Sequence, residues 1–203
     1  FQPNPLVVTI PPPNGSPEGT KAAPTGVVFN GTSGFVVTTV NGSGPARFIF
    51  ATEDGTISGW NPAADPTHAI LEVDNSTVGA GAVYKGLALV GNELYATNFR
   101  FGTIDVFDST FAPVHLSKGA FTDPGIPARY APFGIANIQG NLFVTYARQN
   151  SARHDDIAGN GQGFLDVFDP SGRLLKRLVT SGFLNSPWAV SYTHLTLPTI
   201  LRV

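Results

Sequence analysis

The heptapeptide Gly102-Thr103-Ile104-Asp105-Val106-Phe107-Asp108 recurs as Gly163-Phe164-Leu165-Asp166-Val167-Phe168-Asp169, and in weaker form as Gly55-Thr56-Ile57-Ser58-Gly59-Trp60-Asn61. Each copy predicts a short alternating strand, entered through Gly and left through Asp or Asn. The flanking sequence repeats with it. Lys85-Gly86-Leu87-Ala88 is matched by Phe133-Gly134-Ile135-Ala136, and Leu94-Tyr95-Ala96-Thr97 by Leu142-Phe143-Val144-Thr145, both 48 positions later. Gly163 follows Gly102 by 61, so the later unit carries an insertion of about 13 residues between its second and third strands. Phe111 to Leu116 and Arg173 to Leu178 are expected as fourth strands, and Asn185-Ser186-Pro187-Trp188 opens a further unit. Four strands in each unit of about 47 residues, without helical periodicity, predict an all-β fold. The expected architecture is a β-propeller fragment of about three four-stranded blades, from a parent of six.

Upstream of the first full repeat, residues 6 to 10 are expected to form a strand, followed by a Pro/Gly/Ser loop from Pro11 to Pro24. Strands are expected at Thr25 to Phe29, Phe35 to Thr39 and Arg47 to Thr52, with turns at Asn30-Gly31 and at Asn41 to Pro45. Ala69 to Val73 closes that unit.

Composition supports many short strands: 42% apolar residues, only 13% charged, 23 Gly and 17 Pro in 203 residues. The net charge of −2 gives no basis for nucleic-acid binding. No apolar run reaches the roughly 18 residues of a membrane span. Without cysteine there is neither a disulfide nor a thiolate site. The chain also lacks Met and opens directly on Phe1, which is the expectation for a piece of a longer protein.

The insertion from Arg148 to Gln162 is the most polar stretch, and propeller topology would set it beside Glu53-Asp54, Asn98-Phe99-Arg100 and Asp123. The candidate ligand-binding residues are therefore Glu53, Asp54, Asn98, Arg100, His154, Asp155 and Asp156. Two readings stand. His154, Asp155 and Asp156 could hold a divalent cation, Ca²⁺ being the one that hard oxygen donors suit, or the segment could be a solvated polar loop. The spacing fits no EF-hand, and one His does not make a zinc site. Asp105 and Asp166 invite pairing as acid and base, but equivalent residues of successive units recur for reasons of fold, and Ser58 replaces them in the first. Asp108 and Asp169 are expected as turn residues. No Gly-x-Ser-x-Gly or Ser-His-Asp pattern is present. Aromatics such as Phe99, Phe101, Tyr130 and Trp188 could line a groove or pack between units.

Thr52 to Pro62, Ala96-Thr97-Asn98-Phe99, Gly102 to Asp108 and Asn185 to Trp188 together resemble an uncharacterised family of exported bacterial β-propellers, some of whose members end in a PEP-CTERM sorting signal. More remotely the pattern is similar to NHL-repeat and gluconolactonase-like propellers. The resemblance implies an extracellular or periplasmic protein. It points to a non-catalytic module binding a small molecule, glycan or protein, with a metal-dependent lactonase-like hydrolase holding Ca²⁺ in its central channel as the alternative. It covers residues 5 to 188. From Val190 the sequence instead resembles a translated sequencing adapter. The expected division is a partial propeller at 1–188 and a non-native tail at 189–203, where His194 would carry no role.

Overall fold

The computed structural model describes residues 6–188. The expected tail, with His194, lies outside them. Fourteen strands are found among the described residues: β1 (Pro24–Phe29), β2 (Val36–Thr39), β3 (Gly42–Pro45), β4 (Phe48–Thr52), β5 (Thr56–Trp60), β6 (Ile70–Asp74), β7 (Tyr84–Val90), β8 (Glu93–Asn98), β9 (Thr103–Phe107), β10 (Pro113–Val114), β11 (Tyr130–Ile138), β12 (Asn141–Arg148), β13 (Gly163–Phe168) and β14 (Leu174–Thr180). They form three four-stranded antiparallel sheets, β1-β4-β5-β6, β7-β8-β9-β10 and β11-β12-β13-β14, with β2-β3 as a separate hairpin. The three copies of the opening motif are β5, β9 and β13, the third strand of each sheet.

The first strands of consecutive sheets pack on one another, β1 on β7 and β7 on β11. Glycine makes this approach feasible. A Cβ on Gly26 would stand 2.9 Å from Leu87 Cβ and 3.0 Å from Leu87 N, and one on Gly86 would stand 3.0 Å from Phe133 O. The register slips at the same place in each first strand, between Pro24 and Gly26, Tyr84 and Gly86, and Pro132 and Ile135. Hydroxyls stitch the seams, with Thr25 Oγ1 donating to Tyr84 O at 2.6 Å and Thr97 Oγ1 to Phe133 O at 2.7 Å.

Apolar faces of neighbouring sheets interdigitate. Ile49 and Ile57 of the first sheet share a core with Tyr84, Leu94 and Phe107 of the second. On the other side of the second sheet, Tyr95, Ile104 and Val106 share a core with Leu142, Val144 and Phe168 of the third. The middle sheet is thus covered on both faces, which is why β8 reads as a nearly continuous buried run. The outer sheets still expose Val27, Phe29 and Phe48 at one end and Leu175 and Leu178 at the other.

Three local expectations are corrected. Residues 6 to 10 contribute one bridge, Thr9 to His68, rather than a strand. Asn41 to Pro45 is not all turn, since Gly42–Pro45 is β3. Its glycines let the hairpin lie flat, a Cβ on Gly44 meeting Asn61 Nδ2 at 2.7 Å. The expected fourth strand at Phe111 to Leu116 shrinks to Pro113–Val114. The chain beyond it is drawn away to the third sheet, where Phe121 N donates to Gly172 O at 2.7 Å.

Candidate functional site

The polar insertion is folded rather than loose. Asn150 N donates to Asp155 O at 2.8 Å and Ile157 N to Arg148 O at 2.7 Å, continuing the end of β12 as a tight excursion. At its base the buried Gln149 amide donates to the carbonyls of Phe99 and, at 3.3 Å, Arg100. The insertion is thereby tied to the turn after β8.

The excursion carries Asp155 to Lys85. Lys85 stands at the start of β7, with its side chain only 3% exposed. Its ammonium pairs with Glu53, from the turn between β4 and β5, and lies 3.9 Å from Asp155 Oδ1. It also stands 5.7 Å from the ring centroid of Phe99, 5.9 Å from that of Phe133 and 5.7 Å from that of Trp188. Phe133 contacts both other rings, each with centroids 5.0 to 5.1 Å away. Trp188 Nε1 donates to Lys85 O at 3.0 Å. A desolvated ammonium in this position is stabilised by its carboxylates and by the negative ring faces, at ~0.5–2 kcal/mol per ring. Lys85, Phe133 and Trp188 occupy the same place in consecutive repeats, one residue before the first-strand glycine or its counterpart. The repeat therefore determines their meeting.

The candidates divide. Glu53 and Asp155 converge on Lys85. His154 Nδ1 lies 2.9 Å from Asp155 Oδ1, and this contact is the main reason that the Asp155 carboxyl is held below its ordinary range. Asp54 instead accepts from Ala23 N at 2.7 Å, fixing the entry to β1. Asn98 is buried and donates to Asp105 Oδ2 at 2.9 Å. Arg100 donates to the Ala80 carbonyl. Asp156 bridges to Gln149 through the backbone and forms no side-chain hydrogen bond among the described residues. Among the described residues no three His, Asp or Glu side chains converge as ligands for one ion. Asp123 is engaged by Arg177 of β14 instead of the insertion. Lys85, the centre of the cluster, escaped the sequence reading because a lysine opening an apolar strand carries no local sign of burial.

The repeated acids serve the fold. Asp108 Oδ1 accepts from Thr110 N at 2.8 Å and Ala112 N at 3.1 Å, and Asp169 Oδ1 from Ser171 Oγ at 2.6 Å and Arg173 N at 3.0 Å. Asp105 accepts from Tyr84 and Asn98. Asp166 is fully buried beside Asp123 and Arg177.

No family model matches the chain. Three uncharacterized proteins of Acanthamoeba polyphaga mimivirus are similar to it. One is 34% identical over 171 residues, 82% of this chain and 42% of its own length. A second is 32% identical over 173 residues, 82% of this chain and 46% of its own. The third is 34% identical over 151 residues, 71% of this chain and 28% of its own. The chain spans less than half the length of these relatives. Among solved structures, the computationally designed Ika8 protein superposes with a TM-score of 0.50 at 17% identity, covering 87% of this chain and 42% of that one. At that identity the likeness concerns fold alone.

Proposed function

We propose that the three sheets are consecutive blades of a β-propeller and that the propeller is a non-catalytic binding module of the exported kind its sequence resembles. Support for the architecture comes from the first strands, which pack in order through one glycine each, and from the apolar faces left at both ends. Val27 is 58% and Phe29 65% exposed at one end, as blades awaiting neighbours would be. Support for the function rests on Lys85. Its amine is engaged by Glu53, overlooked by Asp155 and enclosed by three rings, so it is held as a structural charge and cannot reach a substrate carbonyl as a nucleophile. What remains accessible beside it is the Asp155 carboxylate and the His154 imidazole. That surface suits hydrogen bonding to a glycan, small molecule or protein.

The test uses the longer parent protein. Lactone hydrolysis and Ca²⁺ calorimetry are expected to give no metal-dependent turnover, and a glycan array is expected to show retention weakened by Asp155→Asn. Ca²⁺-dependent turnover would overturn the reading. The architecture is tested separately by sedimentation. The 203-residue chain should self-associate through its end faces, and a monodisperse monomer with a sharp thermal transition would count against it.

A further inference from the structure

The outer strands of the first and third sheets pair along nearly all of their neighbours. β6 pairs with β5 from Gly59 to Thr56, and β14 pairs with β13 from Phe168 to Phe164. The entry glycine of each third strand is covered too: Gly55 O accepts from Asn75 N at 2.9 Å and Gly163 O from Ser181 N at 3.0 Å. The middle sheet differs. β10 meets β9 only at Phe107 and Val106. Asp108 N donates to Ala112 O at 2.9 Å. By the alternation of an antiparallel ladder, the outward backbone groups on this strand are then those of Val106 and Ile104. Val106 faces Val114. Ile104, and the Gly102 carbonyl beyond it, have no outer-strand partner among the described residues.

A cavity of about 360 Å³ runs along this stretch, lined by Thr103, Ile104 and Asp105 on one side and by His115, Ser117 and Phe121 on the other. The chain's own continuation cannot fill it, because Phe121 is wedged between Tyr95 and Phe168, with centroids 5.8 and 5.4 Å away. Asp105 lines the cavity. Its Oδ2 accepts from Tyr84 and Asn98, while Oδ1 accepts only from Thr103 Oγ1 at 3.1 Å. Among the described residues no cation pairs with this carboxylate. The third sheet shows what is missing. There β14 places Arg177 in register with Asp166, its Nε 3.5 Å from the carboxylate.

We propose that the open edge of β9 is a peptide-binding site, taking an extended segment that adds a strand beside Gly102 to Ile104 and sets an arginine against Asp105. Backbone pairing supplies attachment and the arginine supplies selection, as in other strand-addition interfaces. The same open edge is otherwise a liability that proteins cover or charge.

The probe is a labelled heptapeptide of the Arg177–Phe183 sequence, Arg-Leu-Val-Thr-Ser-Gly-Phe, which in the third sheet begins opposite Asp166 and runs past the Gly163 carbonyl, titrated into the full chain by fluorescence anisotropy. Saturable binding is expected, weakened about tenfold when the peptide arginine is replaced by glutamine and abolished by N-methylation of the amides that would face Ile104. In the Asp105→Asn chain the two peptides should bind within about twofold of each other. Equal affinity of the arginine and glutamine peptides for the unaltered chain would overturn the proposal, whatever the fate of the variant. So would indifference to N-methylation, or absence of saturation.

Discussion

Asp166 is buried on β13, and neither of its carboxylate oxygens accepts a hydrogen bond among the described residues. Burial, followed by the neighbouring Asp123 charge, pushes its carboxyl up from 3.8 to about 7, against the opposing pull of Arg177. The second sheet shows what the third lacks. Tyr84 and Asn98 face each other in register and both donate to Asp105, whereas Pro132 faces Tyr146 in the equivalent place. Proline has no side-chain donor, and the buried Tyr146 hydroxyl bonds to nothing among the described residues. A folded pKa raised above the unfolded one means that the native state holds the proton more tightly. Its stabilising contribution is complete below about pH 4 and is lost as the pH rises toward 7. At about 1.36 kcal/mol per unit, stability should fall by roughly 3 kcal/mol between pH 5 and pH 8. Carboxyls held low by hydrogen bonds, such as Asp108 and Asp169, act in the opposite sense and at more acid pH. They lose their contribution as the pH falls below about 4, outside this window. Urea unfolding of the full chain at half-unit steps of pH, compared with Asp166→Asn, isolates the effect. The asparagine variant should match the parent near pH 5, exceed it by about 3 kcal/mol at pH 8 and have a nearly flat profile. A parent profile that is flat or rises over pH 5–8, or a variant with the same slope as the parent, would refute the reasoning.

Glu53→Gln leaves the Lys85 ammonium in its aromatic enclosure with only the more distant, exposed Asp155 carboxylate and should cost about 3 kcal/mol. Adding Lys85→Met should recover part of that loss, a coupling measurable in a double-mutant cycle by urea denaturation. Gly86→Ala drives a Cβ to 3.0 Å from Phe133 O, a backbone atom that cannot move alone. It should cost ~1–3 kcal/mol by overpacking, read as a lowered thermal midpoint. Tyr84→Phe removes the hydroxyl that donates to Asp105 at 3.0 Å and accepts from Asn75 at 2.8 Å. A loss of ~1–2 kcal/mol is expected in equilibrium unfolding.

The sequence by itself determined the repeat, the turn roles of Asp108 and Asp169, and the position of the insertion. These depend on interactions within a few residues. Alternation places side chains on one face or the other, and a short acid accepts hydrogen bonds from amides two to four positions on. The three copies of the repeated strand betray each other because all meet the same local demands. Tertiary structure alone decided what those strands do to one another. Asn41 to Pro45 looked like turn because of its glycines, yet Gly42 and Gly44 are there for close approach to Ala63 and Asn61. Phe111 to Leu116 has an adequate pattern for a strand, but Phe121 and Asp123 pull the following chain onto the third sheet and leave β10 two residues long. Asp105 and Asp166 are indistinguishable in their heptapeptides. They differ because Tyr84 stands where Pro132 does, in a strand of another sequence segment. Lys85 is 32 residues from Glu53 and 103 from Trp188, and its burial exists only where four repeats meet. The repeat aligns Lys85 with Phe133 and Trp188, but the arrival of Glu53, Phe99 and Asp155 beside them leaves no periodicity to read, because it depends on which sheets become neighbours.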